Sequence, residues 1–490
     1  MKDITIVTHV DAPVPIEERE KNEKFLVAST CAQGGVQPKS SQVPLVRDGA
    51  DDHDNGGGEY GDAGIEDRQP LEHDFPEGGL RAWLVAAGTA GILFCTLGYS
   101  NSFGVFQAYY IHNQLRDHSP DDISWIGSVQ VCLVFALGVI GGPIFDRYGA
   151  WVSFVEKCWL SYLMCIANTR DCQVIRPAAV VYIASIMATA SCTSYWQFML
   201  AQGFLSGISN SLLMFPSMAA TPQYFNKKRG AAMGLAIAGS SLGAIIFPIV
   251  LSQLLDKIGF QWAVRTCAFI MIPILTFSAI TVRARLPPRE SKFFLWSSFK
   301  NPRYNTLIGA VLFMFMGMFV PLFYLPTYGI SQGMDASRAF YLVAIINGSS
   351  IPGRIIPGIL GDKFGAINSL IGAGISTAII IFCWPTAVSD AGIIAYSVGF
   401  GITSGAIISA GSVVFTHCAP SPKDIGTYMG MGISIAAIAV LVGPPINGAL
   451  LHRYNSFDQV SQFSGAMCMA GGALAVAAKF FTREGIWGRV

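Results

Sequence analysis

The chain contains twelve separate runs of mostly apolar residues, each about as long as a helix that crosses a bilayer. Such a helix needs about 20 apolar residues. Because hydrocarbon offers the backbone no hydrogen-bond partners, runs of this length predict helices rather than open strands. The runs lie near residues 82–106, 123–145, 174–194, 196–220, 230–253, 262–282, 305–327, 339–360, 367–388, 391–415, 426–450 and 462–481. We therefore expect an all-α polytopic membrane protein with twelve transmembrane helices.

The composition agrees with a bilayer as the main solvent. The 490 residues are 52% hydrophobic and 13% charged, with a mean hydropathy of +0.47, whereas a soluble domain is about 25% charged. A net charge of +1 gives no reason to expect a nucleic-acid partner. The sequence has no clustered acid–base pair, nucleophile elbow or metal-ligand spacing, so we expect no enzyme activity, cofactor or metal site.

Basic residues predict the orientation in the membrane. Residues 1–75 contain 7 Lys/Arg and 16 Asp/Glu, a balance of −9, and carry no long apolar run. This composition is typical of a disordered tail, which we place in the cytosol. The even-numbered connections then contain 12 basic residues and the odd-numbered ones about five, as the positive-inside rule requires. We expect both termini in the cytosol and the chain in the cell membrane, with the vacuolar membrane as the alternative.

An internal repeat divides the chain into two halves. The stretch GPIFDRYG begins at Gly142 and GILGDKFG begins at Gly358, an offset of 216 residues. A Gly-x-x-Met-Gly pattern begins at Gly230 and again at Gly426, an offset of 196 residues. Duplicated units of this size are typical of secondary transporters. We expect a tail, a six-helix half, a cytosolic linker, a second six-helix half and a cytosolic C terminus over residues 1–75, 76–282, 283–303, 304–482 and 483–490.

The two offsets differ by 20 residues (216 − 196), so the first half carries an insertion before Gly230. Its most unusual part is about residues 151–173, which is apolar but contains Glu156 and Lys157. A thirteenth span here would invert every later loop against the bias in basic residues. We expect an interfacial helix or a disordered excursion, and translated intron sequence is the third interpretation.

The repeated signature has a physical interpretation as a gate. The first glycine of each copy allows close helix approach, and the last one suits a tight turn with positive φ. The Asp–basic pair between them places charge at the cytosolic rim, where ion pairs can lock a closed state; an ordinary helix-ending turn is the alternative. The expected gating residues are Gly142, Asp146, Arg147, Gly149, Gly358, Asp362, Lys363 and Gly365.

Twelve spans with this duplicated signature resemble the major facilitator superfamily. Two further motifs resemble those of its monocarboxylate transporter family, in the form common among fungal members; the first is PEGGLRAW, from Pro76. The second consists of Tyr224, Phe225, Arg229, Ala232, Gly234, Ala236, Ala238 and Gly239. The resemblance covers about residues 76–482 outside the insertion. It implies the major facilitator fold, alternating access without ATP, and a gating contact between Arg229 and Asp146.

The same resemblance suggests where a solute binds. Family members that carry small monocarboxylates resemble one another in a lysine on the first span and, on the eighth, an aspartate four residues before an arginine. Here the arginine is Arg354, whereas Ser350 and Asn101 hold the other two positions. Both changes remove charge that could take part in proton coupling, so the resemblance implies a larger or less charged organic solute.

Arg354 lies inside an apolar run, where an arginine costs about 2.5–3.5 kcal/mol on insertion scales and therefore needs a partner. We expect a water-filled cavity, a carboxylate ligand or a helix-end carbonyl; a snorkelling side chain near the interface is the alternative. Asn347 lies two turns before Arg354 on the same helix face. The predicted binding residues are Arg354, Asn101, Ser350, Asn347 and Tyr324.

Together, the sequence and the resemblance predict a secondary active transporter of a small organic solute, embedded in membrane lipid. We expect efflux of a fungal secondary metabolite or transport of a larger organic acid by alternating access. Proton-coupled uptake of a monocarboxylate or nutrient is the first alternative, and a non-transporting nutrient sensor is the second.

Overall fold

The structure is a computed structural model that describes residues 77–148, 174–286 and 294–482. The predicted tail, the insertion at about 151–173 and the C terminus from 483 lie outside the described residues, as do Gly149 and part of the linker. The predicted domain boundaries therefore stay predictions. All regular elements within the described residues are helical.

The number of helices agrees with the prediction. Within the described residues, ten helices are long and apolar enough to cross a membrane. One of them, Arg229–Thr281, has 53 residues and breaks at Gly259, where φ is 73°, so it forms two spans. A shorter apolar helix, Ile175–Thr189, completes the twelve.

The helices are numbered in chain order as α1 Gly79–His112, α2 120–148, α3 Ile175–Thr189, α4 Tyr195–Gln223, α5 229–258, α6 260–281, α7 Pro302–Ser331, α8 Ala336–Phe364, α9 Ala366–Phe382, α10 Asp390–Thr416, α11 Pro422–Tyr454 and α12 Phe457–Lys479. The first three residues of α11 form a 3₁₀ turn, and its α-helical part begins at Ile425.

Several helices begin at a residue that caps them. Side-chain oxygens of Ser119, Asn301, Ser389 and Ser456 accept hydrogen bonds from first-turn N–H groups of α2, α7, α10 and α12. Such caps satisfy N–H groups that have no partner inside the helix. In contrast, α5 and the α-helical part of α11 begin without a side-chain cap from their own N-cap residue.

Small residues bring the helices of each half into close contact. A Cβ added at Gly243 of α5 would collide with the carbonyl oxygen of Phe94 in α1, and one at Gly317 of α7 would collide with that of Ser464 in α12. Membrane helices pack in this way because lipid gives them little hydrophobic reason to associate. Many large aliphatic and aromatic side chains lie on the exposed surface of the bundle, while others, such as Trp384 and Phe247, are fully buried.

Within the described residues, the first six helices and the last six make their most extensive contacts at two places. Helix α2 packs against α11, and α5 packs against α8. We call the α2–α11 contact the first seam and the α5–α8 contact the second seam. The end of the bundle at which α5 and α11 begin, and α2 and α8 end, is the gate end.

Candidate functional site

Both seams are built on glycines that let the two halves touch. In the first seam, a Cβ at Gly142 would collide with the carbonyl oxygen of Gly426. In the second seam, a Cβ at Gly230 or at Gly358 would collide with the carbonyl oxygen of the other residue. Any side chain here would push the helices apart, so close approach requires glycine. The repeated signature of each half thus touches the opposite half.

Asp146, near the end of α2, caps α11 in the opposite half. Its carboxylate accepts hydrogen bonds from the backbone N–H groups of Gly426 at 3.1 Å and Thr427 at 2.5 Å, and from the Thr427 hydroxyl at 2.7 Å. Asp146 is buried, with 5% of its surface exposed. A carboxylate at the positive end of a helix dipole, bonded to free N–H groups, is worth about 1–2 kcal/mol.

Asp362, near the end of α8, caps α5 in the same way. It accepts hydrogen bonds from the backbone N–H groups of Gly230 at 2.6 Å and Ala231 at 2.8 Å. Because α5 and the α-helical part of α11 lack side-chain caps from their own N-cap residues, each relies on a carboxylate of the opposite half. Both caps require contact between the halves at this end of the bundle, so together they stabilise that contact by roughly 2–4 kcal/mol.

Arg354 bridges the second seam, about two helical turns from Asp362. Its guanidinium Nη1 donates to the carbonyl oxygen of Ile237 at 2.9 Å and to the hydroxyl of Ser240 at 2.5 Å, both on α5. Arg354 is 7% exposed, and its Nε–H has no hydrogen-bond partner among the described residues. Of the partners expected from the sequence, the structure thus supplies a carbonyl, from the interior of α5 rather than from a helix end.

Comparisons with known proteins agree with this architecture. The family model described as Major Facilitator Superfamily matches residues 172–417. The aspyridones efflux protein of Emericella nidulans is 48% identical over 85% of this chain and 82% of its own length. The chain belongs to the Major Facilitator Superfamily.

Further relatives and solved structures of superfamily transporters are similar to the chain. The agnestins efflux protein of Paecilomyces divaricatus is 35% identical over 83% of this chain and 89% of its own length. The human organic anion transporter MFSD10 and the transporter FucP in its outward conformation each align with a TM-score of 0.61 at 14% identity, covering 82% of this chain and 100% of the other. At that identity the structural likeness shows the fold alone. The predicted major facilitator fold of a multi-pass membrane transporter is confirmed.

Two other predicted binding residues lie on the same face of α8 as Arg354. The Ser350 hydroxyl lies 2.7 Å from that of Ser241 on α5, and it also bonds the carbonyl oxygen of Asn347 at 2.8 Å. The buried Asn347 side chain donates to the carbonyl oxygen of Val343 at 2.9 Å. In this superfamily member a polar strip therefore runs along the second seam through residues 347, 350 and 354.

Asn101 and Tyr324 lie on other helices. Asn101 is exposed, and its Nδ2 donates to the carbonyl oxygen of Leu97 in its own helix at 2.7 Å. The Tyr324 hydroxyl donates to the carbonyl oxygen of Pro444 at 3.1 Å, which joins α7 to α11. These hydrogen bonds connect neither residue to Arg354, so the described contacts do not gather the five predicted residues into one site.

Arg229 makes contacts that differ from those implied by the resemblance. Its guanidinium donates to the carbonyl oxygens of Phe225 at 3.2 Å and Thr416 at 3.4 Å. The carboxylates that act on it electrostatically are those of Asp362 and Glu77. Thr416 ends α10, so Arg229 contacts the second half beside the second seam, whereas the resemblance implied a contact with Asp146. The reason is topological, because Arg229 starts α5 while Asp146 caps α11.

The remaining residues of the signature lie at the gate end. Gly365 adopts a φ of 103° at the start of α9, as the predicted turn requires. Lys363 is exposed, and its Nζ lies 5.4 Å from the centroid of the Phe364 ring. The side chain of Arg147 and all of Gly149 lie outside the described residues. The expected ion pairs therefore stay predictions, while the signature aspartates act in this structure as helix caps.

Sequence reasoning did not predict which residues accept hydrogen bonds from Arg354. Ser240 and Ser241 are adjacent hydroxyls inside the apolar α5, a visible signal, but the sequence does not say which helix they face. It also missed a polar cluster in the first half, where the Ser100 hydroxyl accepts from the side-chain amides of Gln130 at 3.3 Å and Asn210 at 3.2 Å. Buried amides within spans were the available signal there.

The PEGGLRAW motif lies against the start of α5. The Trp83 and Phe225 rings pack with their centroids 5.1 Å apart. The Glu77 carboxylate accepts hydrogen bonds from the backbone N–H groups of Asn226 at 3.0 Å and Lys227 at 2.8 Å. The two motifs that resemble the monocarboxylate transporter family therefore contact each other next to the second seam.

Proposed function

We propose that this transporter exports a fungal secondary metabolite by alternating access, and that the structure corresponds to its state closed at the gate end. The carrying observation is the buried Arg354 guanidinium, which bridges the halves through Ile237 and Ser240. When the halves separate at the gate end, the guanidinium loses these partners and binds an anionic group of the solute instead. The efflux proteins among the relatives support the direction of transport.

The solute is an organic molecule with one anionic group on a larger uncharged body. Arg354 supplies one positive charge in the second seam, while the neighbouring Ser350 and Ser241 are uncharged hydroxyls. A guanidinium recognises carboxylates and similar planar anions through paired hydrogen bonds. Asn101 and Ser350 are uncharged. They support a carrier in which neither position provides a charged group for proton coupling.

The gate end faces the cytosol, so both termini lie in the cytosol. The support is the set of basic residues at this end of the bundle, including Lys227, Lys228 and Lys423, because positive charge is enriched on cytosolic loops. We place the transporter in the plasma membrane, with the vacuolar membrane as the alternative. The tail, the linker and the two halves keep the boundaries predicted from the sequence.

We also assign the chain to the monocarboxylate porter subfamily. The support is the contact between its two motif-bearing segments, in which Trp83 packs on Phe225 and Glu77 bonds the turn before α5. A shared interface gives both motifs one structural purpose, which is to fix the start of α5 against the start of α1.

The test is deletion of the gene in the source fungus, followed by comparison of metabolites in the medium and in the mycelium. We expect an organic acid to disappear from the medium and accumulate in the cells. Membrane vesicles containing the protein should then transport that compound but not its methyl ester. The transport is measured both with and without a protonophore. Unchanged metabolite profiles, or equal transport of acid and ester, would contradict the proposal.

The same vesicles separate the alternatives. Transport that a protonophore abolishes, directed into the cell, would replace export by proton-coupled uptake. Binding of the compound without any flux would replace it by a sensor. Arg338→Ala is the matched control for Arg354→Ala, because both arginines lie on α8. Arg338 forms an exposed ion pair with Asp390 at 3.3 Å, and such pairs are worth about 0–1 kcal/mol.

A further inference from the structure

Glu77, two residues before the start of α1, is held in an uncommon backbone conformation. Its φ is 48°, in the left-handed region that residues other than glycine rarely adopt. In this conformation both carboxylate oxygens reach the backbone N–H of Lys227, at 2.8 and 2.9 Å. Strain of this kind persists where the surrounding contacts require it, so the contact between Glu77 and the turn before α5 calls for an explanation.

The turn that Glu77 holds leads directly into the second seam. Lys228 is the N-cap residue of α5, and its side chain makes no capping hydrogen bond. The next two N–H groups after Arg229, those of Gly230 and Ala231, donate to Asp362. Because few rotatable bonds separate these peptide groups from the turn, the turn sets the direction in which they point.

Charge also connects these groups. At the gate end the Glu77 carboxylate attracts the Arg229 guanidinium and repels the Asp362 carboxylate. Glu77 belongs to the first half and Asp362 to the second. Two carboxylates from opposite halves thus serve consecutive parts of one chain segment, the turn and the first N–H groups of α5.

We propose that Glu77 is a positioning residue of the gate: it fixes the turn before α5 so that the N–H groups of Gly230 and Ala231 face Asp362 when the halves close. The proposal rests on the gate described under the proposed function. In the first seam, the Thr427 hydroxyl gives the corresponding support, because it donates directly to Asp146 at 2.7 Å. Glu77 gives the PEGGLRAW motif a role in the conformational cycle beyond joining the tail to α1.

The test is hydrogen–deuterium exchange of the full-length protein in lipid nanodiscs, read by mass spectrometry with fragmentation that separates residues 226–227 from residues 230–231. We expect Glu77→Ala to speed exchange at Gly230 and Ala231 about fivefold, which corresponds to about 1 kcal/mol. Exchange at Gly426 and Thr427, in the first seam, should stay at the wild-type rate.

Double variants decide whether Glu77 positions the amides that Asp362 binds or only stabilises the turn at residues 226–227. In an Asp362→Ala background the amides of residues 230 and 231 are already unprotected, so Glu77→Ala should add nothing there. In an Asp146→Ala background it should keep its full effect. Faster exchange confined to residues 226–227 would overturn the proposal, and so would an equal effect with and without Asp362.

Glu77→Gln covers the case in which the alanine variant folds poorly. Its amide keeps one oxygen that can accept from Lys227, so we expect about a twofold increase in exchange at residues 230 and 231. A glutamine variant that exchanges there at the wild-type rate would overturn the proposal. The measurement needs no solute, so a wrong assignment of the exported compound would leave its outcome unchanged.

Discussion

The two seams share one construction, and their main difference lies at one position of the repeat. In each, a glycine of α11 or α5 lies against a carbonyl oxygen of the opposite half: Gly430 against that of Gly138, and Gly234 against that of Arg354. Gly138 and Arg354 are separated by the repeat offset of 216 residues, and so are the capping aspartates Asp146 and Asp362. The duplicated scaffold therefore places a glycine in the first seam where the second seam carries a guanidinium.

We expect this difference to separate the residues that close the two seams from the residue that binds the solute. The first seam closes through backbone contact, the Asp146 cap and a hydrogen bond of 2.6 Å from the Ser434 hydroxyl to the carbonyl oxygen of Phe135. The second seam closes through backbone contact and the Asp362 cap, but Arg354 adds a buried charge that requires new partners whenever the seam opens. Under the proposed function, equivalent elements carry the conformational change, and the departure from the repeat marks the place where we expect the solute to bind.

The largest expected effect comes from removing the buried charge. Arg354→Ala should lower export at least about tenfold without reducing the amount of protein in the membrane, because hydrogen bonds from a charged group are worth about 1.5–3 kcal/mol each. Ser434→Ala, which removes the neutral tie of the first seam, should lower export by less than about fivefold. Export rates normalised to surface protein measure both. Comparable losses in the two variants would mean that the seams are functionally equal.

Alanine at the seam glycines should have the next largest effect, similar in both seams. Gly142→Ala and Gly358→Ala place a methyl group against a carbonyl oxygen, and overpacking of this kind costs about 1–3 kcal/mol. We expect each to open the gate end, seen as faster hydrogen exchange at residues 426–427 and 230–231 respectively. Gly372→Ala in α9 is the control, since a Cβ there meets nothing within 4 Å. If this control opened the gate as well, the explanation by close approach would be wrong.

Removing the capping aspartates should destabilise the two seams unequally, but this difference should be smaller than the effects described above. From the helix starts that they cap, Asp146 accepts three hydrogen bonds and Asp362 accepts two within the described part of the chain. Asp146→Asn should therefore destabilise the closed gate by about 1 kcal/mol more than Asp362→Asn. Hydrogen exchange at the first-turn amides of α11 and α5 measures the difference. Thr427→Val should abolish most of it, and a difference that survives this change would have to come from burial.

The smallest effect is expected at the neutral hydroxyl pair of the second seam. Ser241→Ala removes one partner of Ser350, but the Ser350 hydroxyl keeps its bond to the carbonyl oxygen of Asn347. Since no buried group is left unsatisfied, export should change less than about twofold. The same export assay measures this change. A loss as large as that of Arg354→Ala would show that the whole polar strip, and not the guanidinium, handles the solute.

Several parts of this structure were accessible from the sequence. The twelve runs and the repeat predicted the helices and the fold, and the glycines of the signature predicted close helix approach. Arg354 was singled out because a charge inside an apolar run needs a partner. The partners themselves could not be predicted, since Ile237 contributes a backbone carbonyl, which every residue possesses, and Ser240 is one of many hydroxyls in the spans.

The sequence by itself determined that this chain forms two related bundles of apolar helices, because span length, basic loops and an internal repeat are properties of residue order. Only the tertiary structure decided that the signature of each half caps a helix of the other, and that Arg229 bonds the carbonyl oxygens of Phe225 and Thr416. The physical reason is that a helix N terminus left without its own cap accepts any carboxylate that packing brings to it. Packing between segments some 130 and 280 residues apart chose those carboxylates.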